Sequence, residues 1–158
     1  MNAYRLKPLS FPWPPTAFGL GVVLAFLLGR LTGPLPDLSQ FAYPLTIIGI
    51  VFGLAGAALH GWAVMTLVDH NTPILHSGCT RRLVTTGPYA ISRNPIYLGY
   101  LLLTVAVGLI TGISWFLIAA AIGFAITTGF AIPCEEKHLL ARFGIEFENY
   151  CKRARRWI

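Results

Sequence analysis

Residues 87–99, GPYAISRNPIYLG, place a turn rich in hydrogen-bonding side chains directly before a long apolar run. Pro95 has no backbone N–H, and its ring disfavours helical geometry at Asn94. An Arg and an Asn at the mouth of a membrane span are costly unless they hold something polar, so Arg93 and Asn94 predict a site at this turn. The alternative is that the turn and its tyrosines only anchor a helix end among lipid headgroups.

The composition is that of a membrane protein. Of the 158 residues, 55% are hydrophobic and 11% are charged, which excludes an ordinary soluble globular domain. The length predicts a single domain covering residues 1–158. Four apolar stretches approach or exceed the length that crosses a bilayer, and they predict an all-α integral membrane protein with about four transmembrane helices. These stretches are residues 16–31, 41–68, 96–110 and 113–132.

The basic residues lie on one side of this predicted topology. They precede the first span, lie between the second and third spans, and follow the fourth, whereas the opposite connections hold only Arg30 and the acidic Asp37. The positive-inside rule therefore places both termini in the cytoplasm. The same rule and contact with anionic membrane lipids explain the net charge of +6, so we expect no nucleic-acid partner.

Polar residues gather in two segments on the predicted cytoplasmic side. The connection at residues 69–95 contains several Pro and Gly residues and is predicted to be largely loop, with a short strand or helix at residues 82–85. Pro133 is predicted to interrupt the last span. Beyond it, apolar residues recur at three- and four-residue steps over residues 135–150, which predicts an amphipathic helix broken or bent at Gly144.

Two adjacent carboxylates, Glu135 and Glu136, lie at the end of the last predicted span. Helix capping together with an ion pair to Arg142 or Arg93 explains them, and so does contact with a bound cation or amine. Adjacent residues point about 100° apart on a helix, so one Glu can face a pocket while its neighbour pairs with an Arg.

Two groups of residues together resemble a known enzyme family. The first is LVTTGPY at residues 83–89 followed by RNPIYLG at residues 93–99, and the second is the Glu pair at 135–136 followed by FG at 143–144 and Tyr150. In this order and spacing they resemble the isoprenylcysteine carboxyl methyltransferase and phospholipid methyltransferase family, in particular its short bacterial members. The resemblance implies one methyltransferase domain in a bacterial inner membrane, with N-terminal spans at residues 16–68, a cofactor region at residues 81–156 and a cytoplasmic active site.

The resemblance also implies a reaction, which is methyl transfer from S-adenosylmethionine to a lipophilic or membrane-associated acceptor. The acceptor is a carboxylate, an amine or a phospholipid headgroup. Aromatic faces attract the sulfonium cation of such a cofactor. For catalysis, the side-chain chemistry suggests Arg93, which can balance Glu135 or Glu136 or bind a carboxylate, and Glu136 as a base for an amine acceptor. The cofactor contacts that it implies fall on Leu83, Val84, Tyr89, Asn94, Pro95, Tyr97 and Glu135.

The chain departs from the family pattern at three positions. Many relatives have His in place of Asn94, and a Tyr is expected where Phe147 stands. Relatives that act on prenylated cysteine carry an Arg one helical turn before Glu135, where this chain has Ala131. Because that Arg is implied to hold the substrate carboxyl group, the resemblance supports the methyl donor more strongly than a prenylcysteine acceptor.

Two other functions remain open at this point. NADPH-dependent membrane reductases of the sterol-reductase type carry a similar motif, although they typically have Trp where this chain has Tyr89. The third interpretation is a non-catalytic membrane protein that binds lipid or a partner. His70, His76 and Cys79 match no zinc-ligand spacing, so no metal is expected.

Small residues and the basic tail have structural interpretations. Gly49, Gly53 and Gly56 form a small-residue face that predicts close helix packing, with dimerisation as the alternative. The oligomeric state itself is not predicted. The basic C-terminal tail is interpreted as an anchor at the membrane surface.

Overall fold

The computed structural model describes residues 13–32, 41–72 and 82–158, and over these residues it is all-α apart from one isolated parallel bridge between Ser92 and Arg155. The helices are α1 (Trp13–Thr32), α2 (Ala42–Asp69), α3 (Pro95–Thr111), α4 (Trp115–Ile126), α5 (Ile132–Phe143) and α6 (Ile145–Arg153), with a 3₁₀ turn at Gly87–Ala90 and a π-helical segment at Thr127–Ala131.

The apolar helices have the lengths that a bilayer requires. Three helical segments are long and apolar enough to cross a membrane, Pro14–Thr32, Ala42–Asp69 and Trp115–Phe143, and α3 is a shorter apolar helix. Many of their large hydrophobic side chains are half exposed or more, as expected of surfaces that face lipid. The predicted all-α membrane fold is confirmed. With 28 residues, α2 is about 42 Å long and must tilt or project beyond a hydrocarbon core of about 30 Å.

Helices α2 and α3 pack with their backbones in contact. A Cβ atom added to Gly56 would lie 2.9 Å from the Cβ of Leu102, and one added to Gly99 would lie 2.8 Å from the Cβ of His60. Gly49 meets α3 equally closely, at 2.8 Å from a side-chain carbon of Ile110. Because no larger residue fits at these positions without movement, the predicted small-residue packing face is confirmed, and its partner is α3 of the same chain.

The hairpin between α3 and α4 and the packing of α1 on α4 complete the bundle. Gly112, with φ of 70°, ends α3 and begins the tight hairpin to α4. Helix α1 packs on α4, where a Cβ atom at Gly123 would lie 2.7 Å from the ring of Phe18. The pairing of α2 with α3 and of α1 with α4 brings the ends of α2, α3 and α5 together, and this is where the polar residues lie.

The last span differs from the prediction at Pro133. The helix does not stop there but continues from Trp115 to Phe143, with the π-helical segment just before the proline. In this wide turn the backbone N–H of Ile132 donates to the carbonyl oxygen of Thr127, five residues earlier. The wider turn makes room for a residue that lacks an N–H and whose ring would clash in a regular helix. Glu135 therefore lies within a continuous helix and not at a free N-terminus.

The two remaining local predictions have opposite outcomes. The break at Gly144 is confirmed, since its φ of 51° and ψ of −121° separate α5 from α6. The short strand or helix predicted at residues 82–85 is wrong, because those residues are irregular and the first ordered turn is the 3₁₀ turn at Gly87–Ala90.

Candidate functional site

The 3₁₀ turn before α3 is held against the end of α2. Gly87 has φ of 60°, which favours glycine, and a Cβ atom there would lie 3.0 Å from the Oγ1 of Thr66. The ring of His70 connects the two elements, because its Nδ1 lies 2.8 Å from the carbonyl oxygen of Thr66 and its Nε2 lies 3.5 Å from the Oγ1 of Thr86. His70 thus has a structural position between helix and turn.

Helix α6 holds the same turn from the other side. The hydroxyl of Tyr150 donates to the backbone carbonyl oxygen of Tyr89 at 2.7 Å, and Tyr150 is buried. Burial raises the pKa of both phenols above the ordinary value, and the nearby Glu135 carboxylate raises the pKa of Tyr89 further. Both tyrosines therefore remain neutral at physiological pH, and the charge of Glu135 acts on the phenol of Tyr89.

Leu83 and Val84 belong to the part of the site that faces α6. Leu83 packs against the buried cluster of Phe147, Tyr150 and Ala154, and Val84 is itself buried. Phe147, which stands where a Tyr is expected, is buried in this cluster. Leu83, which leads into the motif at residues 87–99, is therefore fixed by its contact with the α6 cluster.

The first turn of α3 brings Tyr97 to Glu135. Asn94, with φ of −129° and ψ of 52°, is not helical, and Pro95 starts the helix, as the sequence predicts. Tyr97 is 6% exposed, and its hydroxyl donates to the Oε2 of Glu135 at 3.0 Å. A buried tyrosine hydroxyl requires such a partner. The pair joins the beginning of α3 to the middle of the long last helix.

The neighbouring carboxylate has different partners. The Nη2 of Arg93 donates to the Oε1 of Glu136 at 2.8 Å, and the side chains are 13% and 19% exposed. Arg156 also donates to both oxygens of Glu136. These hydrogen bonds with Glu136, and its charge, raise the pKa of the Arg156 guanidinium. Glu135 and Glu136 thus diverge from the same helix towards different partners, as expected of adjacent helical residues.

The C-terminal tail closes the turn from outside. The backbone N–H of Arg93 donates to the carbonyl oxygen of Arg155 at 2.8 Å, in the isolated bridge between Ser92 and Arg155. The carbonyl oxygen of Arg156 accepts from the Nδ2 of Asn94 at 2.9 Å and from the Oγ of Ser92 at 3.2 Å. Interpretation of the tail only as a membrane anchor is therefore incomplete, because Arg155 and Arg156 bind the motif.

The structure thus brings most of the sequence-predicted site residues into one place, which we call the polar junction: Arg93, Asn94, Tyr97, Glu135 and Glu136. Tyr89 lies beside it, and the fully buried Pro95 shapes it by starting α3. Leu83 and Val84 lie at its α6 side. Sequence reasoning missed Ser92 and Arg156, and no spacing signal marks them, because the two residues are 64 positions apart and the contact between them is made to the backbone carbonyl oxygen of Arg156.

No metal centre is evident at the polar junction. Over residues 13–32, 41–72 and 82–158, no group of three or more His, Cys, Asp or Glu side chains is placed to hold a metal ion. His76 and Cys79, which entered the metal interpretation, lie outside the described residues.

Comparison with known proteins gives one match. The family described as phospholipid methyltransferase matches residues 44–146, which is more than half of the chain. This range contains all but the first two residues of α2, the motif turn, α3, the last span and both glutamates of the polar junction. No curated protein and no solved structure matches the chain significantly.

Proposed function

This chain belongs to the phospholipid methyltransferase family, and on that premise we propose that it transfers a methyl group from S-adenosylmethionine to the polar headgroup of a membrane lipid. Family membership supports membrane methyl transfer to a lipid-like substrate. The proposal adds three features to this: S-adenosylmethionine as the cofactor, a lipid headgroup as the acceptor, and a site that faces the cytoplasm.

One observation carries the proposal: the hydrogen bond of Tyr97 to Glu135, at the point where the motif enters the bundle. A carboxylate beside two neutral tyrosine rings is suited to a cofactor that carries a sulfonium, an ammonium group and ribose hydroxyls. Glu135 would accept hydrogen bonds from the ammonium or ribose, and Tyr89 and Tyr97 would face the cation. Leu83 and Val84 offer an apolar wall for the adenine, next to Asn94 and Pro95.

Bound S-adenosylmethionine supplies a methyl group on a positively charged sulfur, which a nucleophile takes by in-line displacement. The residues of the chain would align the acceptor with that methyl group and exclude water from it. A lipid acceptor reaches such a site laterally from the bilayer, between the helices, while the soluble cofactor approaches from the cytoplasm.

Arg93 is the group best placed to bind an anion near the reaction. Among the contacts of the described residues, its buried Nε has no hydrogen-bond partner, although its two other nitrogens donate to Glu136 and to the carbonyl oxygen of Cys151. A buried guanidinium N–H without a partner is costly, so a lipid phosphate or the cofactor carboxylate is a suitable ligand for it.

Glu136 as a base for an amine acceptor stays a prediction. Its two oxygens accept hydrogen bonds from Arg93 and Arg156, and these contacts support a role in holding the junction in shape. Proton acceptance by Glu136 requires that the guanidinium contacts loosen during the reaction.

The position of Ala131 argues for a phospholipid over a prenylcysteine acceptor. Ala131 is completely buried in the π-helical segment, one turn before Glu135. The family resemblance implies an arginine at this position for binding a prenylcysteine carboxylate, and this chain has an alanine instead. The backbone around Ala131 is closely packed. Ala131 thus supports a headgroup that needs no such arginine, such as a lipid amine.

Calorimetric binding of S-adenosylhomocysteine to the purified protein in lipid nanodiscs tests the proposal. We expect micromolar binding that Glu135→Ala abolishes and that Glu148→Ala leaves unchanged, because Glu148 is an exposed carboxylate on α6. A wild-type protein that is folded and binds no S-adenosylhomocysteine would overturn the methyltransferase proposal. Binding of NADPH instead would establish the reductase alternative.

A further inference from the structure

We propose that residues 154–157, which we call the C-terminal strap, form part of the catalytic site, and that Arg156 is a positioning residue acting through Glu136. The reference to cofactor binding rests on the proposed function, whereas the contacts that define the strap do not.

The backbone of the strap is fixed to the motif at consecutive residues. The carbonyl oxygen of Arg155 accepts from the backbone N–H of Arg93, and that of Arg156 accepts from the side chain of Asn94. Ser92 adds a hydrogen bond from its hydroxyl to the carbonyl oxygen of Arg156 and accepts one from the backbone N–H of Asn94. Anchoring at the membrane surface does not require these hydrogen bonds between the strap carbonyl groups and the turn.

Two apolar residues fix the ends of the strap. Ala154 is 2% exposed and belongs to the cluster of Phe147 and Tyr150. The ring of Trp157 packs on Phe124 of α4, with 4.9 Å between the ring centroids. The strap therefore extends from α6 across the motif to the long last helix, held at one end by the burial of Ala154 and at the other by the ring contact of Trp157 with Phe124.

The side chain of Arg156 connects the strap to the polar junction. Its Nε donates to the Oε1 of Glu136 at 3.0 Å, and its Nη2 donates to the Oε2. This two-point geometry orients the carboxylate more strictly than a single contact. The same Oε1 accepts from Arg93, so Arg156 fixes the carboxylate against which Arg93 is placed.

The contacts of Arg156 affect the proposed cofactor site because Glu136 and Arg93 are adjacent in the chain to two of its residues. Glu136 is next to Glu135 on α5, and Arg93 is next to Asn94 before α3. Release of Arg156 from Glu136 therefore disturbs both sides of the junction where the cofactor would bind, although Arg156 itself is 44% exposed in its side chain and need not touch the cofactor.

Three single variants separate the strap from a general effect of charge. Arg156→Ala and Arg153→Ala each remove one positive charge near the C-terminus, but Arg153 is exposed at the end of α6. We expect Arg156→Ala to weaken S-adenosylhomocysteine binding about tenfold and Arg153→Ala to leave it unchanged. Arg156→Lys, which keeps the charge without the planar fork, should restore only part of the affinity. Equal losses in Arg156→Ala and Arg153→Ala would overturn the proposal.

A double-mutant cycle with Glu136→Gln tests whether Arg156 acts through Glu136. In the Glu136→Gln background, Arg156→Ala should weaken binding by less than twofold, because the two-oxygen ion pair through which it acts is already lost. Additive losses in affinity would show that Arg156 acts in another way and would overturn the assignment of a positioning role. A role in stability alone would lower the thermal midpoint without this non-additivity.

Hydrogen exchange of the backbone amide of Arg93 tests the strap when no ligand is added. Because this N–H donates to Arg155, Arg156→Ala should accelerate its exchange about tenfold and Arg153→Ala should not. If the wild-type protein bound no S-adenosylhomocysteine, the proposed function would fail while this experiment still decided the strap. Exchange of the Arg93 amide at the rate of an unprotected amide in the wild-type protein would overturn the strap, and unchanged exchange in Arg156→Ala would overturn the role of the Arg156 side chain in holding it.

Discussion

The interface between α2 and α3 and the polar junction are built by opposite means. The interface consists of backbone contacts between small residues, and it needs nothing beyond the absence of side chains at Gly49, Gly56 and Gly99. The polar junction instead depends on long side chains from three distant parts of the chain. Side chains from residues 93–97 and from Arg156 meet those of the two glutamates at residues 135–136. The interface between α2 and α3 depends on the absence of side chains at its glycines. The polar junction depends on which side chains form hydrogen bonds with Glu135 and Glu136.

This difference explains how the two regions should respond to substitution. At the interface a single added methyl group has nowhere to go, so size decides the outcome. At the polar junction a change of one hydrogen bond leaves the volume nearly unchanged, so the effect falls on ligand binding more than on folding. The predictions below test this contrast.

The largest effect is expected from Gly56→Ala in the interface. The new Cβ atom would lie 2.9 Å from the Cβ of Leu102, so the helices must separate, and the free energy of unfolding should fall by about 1–3 kcal/mol. Thermal unfolding in detergent measures this loss.

Gly61→Ala is the matched control on the same helix. No atom lies within 4 Å of the Cβ that would be added at Gly61, so this change should be neutral or stabilising by about 0.5 kcal/mol. Equal destabilisation by the two substitutions would show that helix propensity, and not contact with α3, explains the glycines.

An intermediate effect is expected from Tyr97→Phe in the polar junction. The substitution removes the hydrogen bond to Glu135 without changing the ring, so S-adenosylhomocysteine affinity should fall about five- to tenfold, or about 1 kcal/mol. Calorimetry measures the affinity, and the thermal midpoint should change little. Tyr43→Phe, at an 80% exposed tyrosine of α2, is the control and should bind as the wild type does. An unchanged affinity in Tyr97→Phe would remove Tyr97 from the proposed cofactor contacts.

The smallest effect concerns pH. Because burial raises the pKa of Tyr89 and Tyr150 above the unfolded value of about 10, their contribution to stability is fully present below pH 10 and is lost as the pH rises through the folded values. No change in stability from these groups is expected at neutral pH. Tyrosinate absorbance of the wild type and of the Tyr89→Phe and Tyr150→Phe variants measures the titration. Ionisation of either phenol at its ordinary pKa in the folded protein would contradict the burial.

The sequence predicted the membrane helices well because each is specified locally. The apolar stretches agree with α1, α2 and α3 to within three residues, and the fourth begins two residues before α4, since hydropathy over one segment is sufficient to recognise a span. The glycine face of α2 was also visible from its own spacing. The turn at Asn94 and Pro95 follows from the stereochemistry of proline alone.

The sequence predicted the residues of the polar junction but not all of its contacts. The resemblance pointed to Tyr97, Glu135 and Glu136, yet the pairing of Tyr97 with Glu135 depends on how two helices cross. The strap was missed because carbonyl oxygens of Arg155 and Arg156 make its contacts about 60 residues from the motif, and every residue type has a carbonyl group. The continued helix at Pro133 was missed because a wide turn is not visible in the pattern of apolar residues.

The π-helical segment at Thr127–Ala131 affects how the last helix contacts both α1 and α3. A π-helical segment adds about one residue to a turn, which shifts the angular phase of everything that follows by about 100°. The half of the helix before Thr127 presents Gly123 to α1, and the half after Ala131 presents Glu135 to α3. Without the phase shift, the two faces would be fixed relative to each other by the regular helical repeat. The insertion therefore turns the carboxylate face by about 100° relative to the packing face while the helix remains continuous.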